Sequence, residues 1–241
     1  MSRGGPTVAV VEDSLERVSA EIVACRACPR LVSWREAVAA ERRASFRDEV
    51  YWGRPVPGFG DPRASVALVG LAPAAHGGNR TGRVFTGDRS GDWVFRALWK
   101  AGFANQPTSE WAGDGLELHG AYVAAAVRCA PPANKPLPEE RDRCVPYLVR
   151  ELALLPEVRV VVALGQFAHD VVCSLSGAVR PRPRFGHLAE HALPDGRRTL
   201  IDSFHPSQQN TFTGKLTEPA FDAVFARARA ILSRTAPPAA R

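Results

Sequence analysis

Two pairs of cysteines have the spacing of a metal-binding site. Cys25 and Cys28 form a C-x2-C pair, and Cys129 and Cys144 form a second pair much later in the chain. The two thiolates of a C-x2-C pair can reach one metal centre, and four thiolates suit a structural zinc ion or an iron–sulfur cluster. Spacing does not separate these two possibilities. Four unrelated buried cysteines are the remaining alternative.

The fifth cysteine is expected in the core, and the N-terminal residues indicate the cellular compartment. Cys173 lies on the apolar face of a predicted helix, which assigns it to the core. The first residues lack the apolar core and cleavage site of a secretory signal peptide, and no apolar run approaches the roughly 20 residues of a membrane helix. We therefore expect a cytoplasmic protein without a membrane anchor, in which disulfides are disfavoured.

A glycine-rich stretch carries a second set of candidate residues. Gly70–Gly91 reads GLAPAAHGGNRTGRVFTGDRSG and contains six glycines, with Phe85 and Asp88 as its aromatic residue and its acid. It has neither the P-loop spacing nor the dinucleotide-binding spacing. A loop of this length in a compact domain is usually functional or disordered, and its glycines allow a close approach to a ligand. We expect it to bind a ligand other than a phosphate.

Two further polar residues follow predicted strands. His205 precedes Pro206, which favours an extended backbone at the histidine, and Asn134 lies in the Pro-rich run APPANKP. Each candidate also has a simpler interpretation. Asp88 could cap a helix, Phe85 could be core, His205 could be structural and Asn134 could form a turn.

The elements that position these residues alternate between strand and helix. Four near-continuous apolar runs read as strands covered on both faces, which indicates parallel β-α-β units and an α/β fold. In such sheets ligands bind at the carboxyl ends of the strands, where the loops described above begin. The predicted strands are Ser65–Leu71, Ala121–Val127, Val158–Leu164 and Thr199–Ser203. The predicted helices begin near Ser14 and span Leu31–Arg43, Asp92–Ala101, Pro138–Leu155, a segment after Gly165 and Pro219–Arg234.

Charge alone does not identify a partner. The chain has 31 Lys and Arg against 25 acids, a net charge of +6. This balance permits a polyanionic ligand without requiring one.

Together these segments resemble one enzyme family. The Gly70–Gly91 stretch, the run AVRCAPPANKP, the four cysteines and HPSQQNTFTG are similar to the type B (family 5) uracil-DNA glycosylases. The resemblance covers about residues 25–217. It implies a single domain over 1–241 and a three-layer α/β/α fold with a central four-stranded parallel sheet. The residues at the two ends, 1–13 and 235–241, are themselves expected to be weakly ordered. It also implies a [4Fe–4S] cluster on Cys25, Cys28, Cys129 and Cys144.

The resemblance also implies roles for individual residues. Asp88 would act on a water or stabilise the sugar cation, and His205 would donate to the carbonyl of the leaving base. Asn134 would support Asp88, and Phe85 would stack on the flipped base. The backbone of the first motif would line the base pocket, namely Leu71, Ala72, Pro73, Ala74 and Ala75.

The implied substrate is damaged DNA, single- or double-stranded, with the base flipped out and bound by a monomer associated with the nucleoid. The segment Ser207–Thr213 would enter the duplex beside the extruded nucleotide. The residues predicted to contact DNA are Arg180, Arg182, Arg184, Gln208, Gln209, Asn210 and Lys215. Phosphate contacts would make binding salt-dependent, although the arginines could equally be solvated loop charges.

Two departures from the sister type A enzymes bear on specificity. Those enzymes have an Asn that reads uracil where this chain has Ala125, and an acid in the first motif where it has Ala74 and Ala75. Loss of a polar reading group weakens discrimination between bases. We therefore expect excision of uracil and of other bases such as hypoxanthine and modified pyrimidines.

Two other functions remain open from sequence alone. One is a non-catalytic iron–sulfur protein that binds damaged DNA, which the presence of Phe85, Asp88, Asn134 and His205 argues against. The other is a zinc-stapled α/β hydrolase of small nucleotides, which iron and sulfide analysis would test.

Overall fold

The computed structural model describes residues 12–178 and 181–235. The helices are α1 (Leu15–Ala24), α2 (Pro29–Glu41), α3 (Gly78–Thr81), α4 (Arg89–Lys100), α5 (Pro138–Ala153), α6 (Gln166–Leu175), α7 (Gln208–Phe212) and α8 (Glu218–Thr235). The strands are β1 (Phe59–Gly60), β2 (Val66–Gly70), β3 (Ala121–Ala125), β4 (Val160–Leu164), β5 (Glu190–Ala192) and β6 (Thr199–Ser203). The predicted weak order of the two termini concerns residues that lie largely outside the described ranges.

The described strands form one sheet in the order β1-β3-β2-β4-β6-β5. The four predicted strands are its parallel centre. The predicted four-stranded parallel centre is confirmed, but the described sheet has six strands rather than four, because β1 and β5 add antiparallel edges. These edge strands have only two and three residues, too few for a hydrophobic pattern that would distinguish them from loops.

Alternate residues of the strands face two separate cores. Val66 and Leu68 of β2 pack with α4 and α8, whereas Ala67 and Val69 pack with α5 and α6. Helices thus cover both faces of the sheet, which explains why the strands lack polar positions. The predicted three-layer α/β/α architecture is confirmed.

The strand order creates a crevice at the carboxyl ends of the strands. The chain passes from β2 to β3 on one side and returns to place β4 on the other side of β2. The loops after β2 and β4 lead to helices on opposite faces, α4 and α6. Such a reversal of direction is where open α/β sheets bind ligands.

The helix α4 begins earlier than predicted, and the reason concerns the site. It starts at Arg89 rather than Asp92, because the Asp88 side chain accepts a hydrogen bond from the Gly91 N–H at 3.0 Å. The two polar loops also contain short helices that the sequence did not predict. One is α3 within Gly70–Gly91, and the other is α7 after His205.

None of the described helices is long and apolar enough to cross a membrane.

Candidate active site

A cavity of about 560 Å³ opens at the carboxyl ends of the strands. It brings together residues from four separate segments. Most of them were predicted as site residues from the sequence, whereas Ser90 was not, and Ser207 was predicted only as part of the segment that enters the duplex. Its lining residues are Leu71, Ala72, Ala74, Phe85, Asp88, Ser90, Asn134, His205, Ser207, Gln208 and Gln209.

Phe85 forms one wall in an unusual backbone conformation. Its φ is +53°, a left-handed value that is rare for a bulky side chain and often marks a functional site. Its ring centroid lies 6.0 Å from that of His205, with the rings inclined by 37°. The ring also fills the space beside Gly70, where an added Cβ would lie 2.6 Å from the Phe85 ring. Glycine at position 70 thus allows the aromatic wall to close over the end of β2.

Asp88 caps α4 and also lines the cavity, so the capping interpretation is confirmed and its catalytic role stays a prediction. One oxygen, Oδ1, caps α4 through the Gly91 N–H. The other, Oδ2, lies against Gly77, where an added Cβ would be 2.0 Å away. Burial raises the pKa of the carboxyl, and hydrogen bonds from the α4 N-terminus only partly oppose this effect. A carboxyl with these properties is suited to proton transfer or to stabilising a cation.

His205 follows β6 directly and has a ring free to bind a ligand. Among the described residues, no hydrogen-bond partner is found for either ring nitrogen. Burial lowers the pKa of His205 from 6.5 to about 4, so the ring is neutral at neutral pH. A neutral imidazole still carries one N–H, which can donate to a carbonyl oxygen.

Two hydrogen bonds fix the His205 segment relative to the rest of the cavity. The side-chain amide of Asn210 donates to the His205 carbonyl oxygen at 2.8 Å. The Ser90 hydroxyl donates to the carbonyl oxygen of Pro206 at 3.0 Å, which ties the start of α4 to the loop after β6. A direct contact between their segments thus links Asp88 and His205, which line the same cavity.

Two buried arginines order the glycine-rich loop, and sequence reasoning missed both. Arg83 forms an ion pair with Asp114 at 2.7 Å, and both side chains are more than nine-tenths buried. Arg80 pairs with Glu49 and donates to the Gly87 carbonyl at 2.8 Å. Both acids are distant in sequence, so no local pattern could have identified these partners.

Some predicted residues lie outside the cavity lining. Pro73 and Ala125 are buried, Ala75 is partly buried, and none of the three contributes to the lining. Ala125 instead ends β3 and packs in the core beneath the Phe85 wall. Asn134 lines the cavity at an exposed position with φ of +55°, and within the described residues it makes no hydrogen bond to Asp88. Its supporting role stays a prediction.

The residues predicted to contact DNA are dispersed. Gln208 and Gln209 line the cavity, whereas Asn210 binds the His205 carbonyl. Lys215 stacks its ammonium 4.6 Å from the Phe204 ring centroid. Arg182 lines a different cavity between α5 and α6, Arg184 is exposed, and Arg180 lies outside the described residues.

The four predicted metal ligands converge at a second place. Cys25, Cys28, Cys129 and Cys144 line one small cavity beside Leu31 and Tyr147, and all are free thiols. No three of their sulfur atoms lie within 4.8 Å of one another, among the residues that the structure describes. A tetrahedral zinc site with Zn–S bonds of about 2.3 Å would hold its sulfurs about 3.8 Å apart.

A buried cation faces this cysteine cluster. The Arg35 side chain is 1% exposed, and its Nη1 lies 3.8 Å from Cys129 Sγ. Its Nε has no hydrogen-bond partner among the described groups, and Glu36 lies 3.6 Å away as its acidic neighbour. Since a buried charge without full compensation is costly, the site favours an anionic group bound between the cysteines.

Gly77 provides a test of how the Asp88 carboxylate is positioned. Its backbone, with φ of −102° and ψ of −107°, lies outside the regions that a residue with a Cβ favours, and an added Cβ would lie 2.0 Å from Asp88 Oδ2. Gly77→Ala should therefore strain this turn and displace the Asp88 carboxylate, and a melting curve checks that the variant still folds. A shift of about 1 Å at a reacting group costs on the order of 10²-fold in rate. The measurement is the single-turnover rate of the catalysed reaction in this variant. In an Asp88→Asn background the same change should cost little more, and a full additional loss would show that Gly77 acts elsewhere.

Comparisons with known proteins agree with this geometry. A family model described as the uracil DNA glycosylase superfamily matches residues 57–229. A type-5 uracil-DNA glycosylase of Mycobacterium tuberculosis is 52% identical over 218 residues, which cover 90% of this chain and 81% of that protein. One from Thermus thermophilus is 53% identical over 86% of this chain and 94% of its own length. One from Pyrobaculum aerophilum is 46% identical, with 87% and 89% covered.

Proposed function

Because this chain belongs to the uracil-DNA glycosylase superfamily, we propose that it hydrolyses the N-glycosidic bond of uracil in DNA and leaves an abasic site. The observation that carries this proposal is the meeting of Phe85, Asp88 and His205 in one cavity. The chain is a hydrolase acting on DNA in repair. We also propose that it acts as a monomer.

The target base must leave the stack to reach this cavity. Flipping costs a few kcal/mol, least for a mismatched base, and stacking on an aromatic ring returns about 1–3 kcal/mol per base. Phe85 supplies that ring. The exposed segment beside the cavity provides a DNA contact, because Phe212 on α7 is 65% exposed and the Arg89 guanidinium lies 4.3 Å from its ring centroid.

Two side chains assist the step in which the glycosidic bond breaks. As the bond between C1′ and the base nitrogen breaks, its electron pair leaves with the base and the sugar gains positive charge. The neutral His205 ring donates its N–H to the carbonyl oxygen where negative charge develops. The Asp88 carboxylate opposes the sugar cation and orients a water, whose oxygen bonds to C1′. The proton released from that water neutralises the departing base by way of solvent or Asp88.

The same cavity supports a broad range of bases. Its inner lining at Leu71, Ala72 and Ala74 is apolar, whereas the side-chain amides of Asn134, Gln208 and Gln209 belong to exposed residues. A pocket without a buried reading amide leaves no polar group unpaired when the base changes. We include hypoxanthine and modified pyrimidines in the proposed substrate range.

A panel of oligonucleotides, each with one altered base, tests this range. We expect release of uracil, hypoxanthine and 5-substituted uracils from single- and double-stranded DNA, with rates that differ by less than those of an enzyme with a uracil-reading amide. Release of uracil alone would contradict the broad range while leaving the glycosylase assignment intact. Activity on free nucleotides only would favour the small-nucleotide hydrolase.

We also propose that Cys25, Cys28, Cys129 and Cys144 hold a [4Fe–4S] cluster. The four-thiolate donor set and the buried Arg35 charge support an anionic metal–thiolate group at this place, and the resemblance favours the iron–sulfur cluster over a zinc ion. Such a cluster would link α1, α2 and α5 to the loop after β3 and stabilise the fold. No step of base release requires it.

Replacing Arg35 tests the charge argument. In Arg35→Gln the buried cation is lost, so we expect a lower cluster reduction potential and faster loss of iron and sulfide, because the reduced, more anionic form loses its compensation. The measurements are iron and sulfide content and a spectroscopic redox titration. Arg227→Gln is the control, because Arg227 also pairs with an acid, Glu190, and does not line the cysteine cavity. An unchanged potential in Arg35→Gln would contradict the argument.

A further inference from the structure

A third group of chemically active side chains lies on the opposite face of the sheet from α4 and α8. His169 on α6, His191 on β5 and Asp202 on β6 each present a ligand atom, and these atoms lie within 4.8 Å of one another. His169 and Asp202 are essentially fully buried, and His191 is partly buried. None of the three contributes to the base cavity or to the cysteine cluster.

The contacts of His169 define which ring nitrogen carries a hydrogen. Its Nε2 lies 3.0 Å from the Pro183 carbonyl oxygen, which can only accept, so Nε2 is the donor. In the neutral ring the lone pair is then on Nδ1, which points at Asp202 Oδ1 from 2.9 Å. Histidines that bind metals usually donate their other N–H to a carbonyl in this way.

Two buried polar atoms in this group have no hydrogen-bond partner among the described residues. They are Asp202 Oδ2 and His191 Nε2. The atoms lie 3.3 Å apart, but they are not aligned for a hydrogen bond with each other. Buried polar atoms are rarely left unpaired, and such exceptions point to a bound water or ion. A cation between the three side chains would account for both.

We propose that His169 Nδ1, His191 Nε2 and the Asp202 carboxylate bind a divalent cation, for which Zn²⁺ is the best match. Two imidazole nitrogens and one carboxylate oxygen are typical zinc ligands, and a water would complete the tetrahedron. Purely oxygen-ligated Mg²⁺ and Ca²⁺ do not suit this donor set. The site would join α6 and the edge strand β5 to β6, whose last residue is two positions before His205.

The competing explanation is that an ion pair and hydrogen bonds, without a metal ion, hold the three side chains together. In that case His169 is an imidazolium paired with the Asp202 carboxylate, and the backbone N–H of Gly186 assists the same carboxylate. This explanation leaves the orientation of His191 Nε2 unaccounted for. The two explanations differ in a direct observable, namely zinc bound per chain.

The test uses the full-length protein with its cysteine site loaded and its iron content measured. After equilibration with Zn²⁺ and removal of the excess, we expect one zinc per chain in the wild type. The stoichiometry should fall at least about tenfold in Asp202→Asn and in His191→Gln. His119→Gln is the matched control, because His119 is exposed and distant from the group in sequence. Unchanged iron content in all variants shows that the fold is retained.

X-ray absorption at the zinc edge identifies the ligands without interference from iron. We expect a shell of nitrogen and oxygen at about 2.0–2.1 Å and no sulfur shell near about 2.3 Å. A sulfur shell would place the zinc on the cysteines and overturn the proposal. So would the absence of zinc in a protein with full iron content, or equal zinc in the wild type and both variants. As an independent readout, Zn²⁺ should raise the melting temperature of the wild type but not of His191→Gln.

Discussion

An Asp88→Asn variant is expected to release uracil about 10²–10⁴-fold more slowly than the wild-type protein, and to melt at a higher temperature. The rate falls because the amide cannot oppose the sugar cation or accept a proton from water. The helix cap survives, because Asn and Asp are comparable at an N-cap position. The measurements are single-turnover release of uracil and thermal unfolding.

The rise in stability follows from the direction of the Asp88 pKa shift. Burial raises the pKa of this carboxyl in the folded protein above its unfolded value. Its contribution to stability is therefore greatest below the unfolded pKa and is lost as pH rises through the folded pKa. At pH values above the unfolded pKa, the raised pKa in the folded protein is a cost to stability, and Asn removes that cost. For a chain of this size each kcal/mol corresponds to about 2–4 °C in melting temperature.

The same shift predicts the pH dependence of the wild-type rate. As pH falls through the raised pKa of Asp88, the carboxylate takes up a proton and the rate should decline. Burial lowers the pKa of His205 to about 4, so its ring is neutral near neutral pH and its protonation does not change the rate there. The rate of Asp88→Asn should not show this decline as the pH falls. Asp92→Asn is the control, because it alters another acid in the first turn of α4 that does not line the cavity. Full activity in Asp88→Asn would refute this assignment.

The second large effect on the rate is expected when His205 is replaced with Ala. The loss of one preorganised donor costs about 10²–10³-fold in rate, and we expect this range for uracil release. The donor acts on charge that develops on the leaving base. A base whose anion is intrinsically more stable, such as 5-fluorouracil, should therefore be released with a smaller defect.

This dependence on the leaving base separates donation from a structural role. If His205 only shaped the cavity, its loss would slow uracil and 5-fluorouracil equally. The measurement is the ratio of single-turnover rates for the two bases in the wild type and in His205→Ala. His205→Gln, which restores an N–H donor, should recover part of the loss. His119→Ala, at an exposed position, is the control for removal of an imidazole.

The sequence predicted the parts of the fold that depend on local hydrophobic patterns. The four parallel strands are continuous apolar runs, and Thr199–Ser203 was predicted at its observed boundaries. The edge strands β1 and β5 were missed because their pairing is determined by neighbours distant in the chain. The start of α4 was misplaced because the capping role of Asp88 was treated as an alternative to catalysis. In the structure, one oxygen caps and the other remains for the cavity.

The candidate site was predicted mainly through the resemblance, and the structure refines it. Leu71, Phe85 and His205 do line one cavity, whereas Ala125 packs beneath it. The loop conformation depends on the ion pair between Arg83 and Asp114, which spacing does not indicate. Partners that are distant in sequence set the geometry of the site, while residue types set its chemistry.

The most direct test of the central claim is a single-turnover reaction on an oligonucleotide duplex with one uracil opposite guanine. We expect free uracil and abasic sites in equal amounts. The rate at which they form should fall in both Asp88→Asn and Gly77→Ala. Tight binding of the same duplex by the folded wild-type protein, without release of any base, would contradict it and favour a protein that only binds damaged DNA.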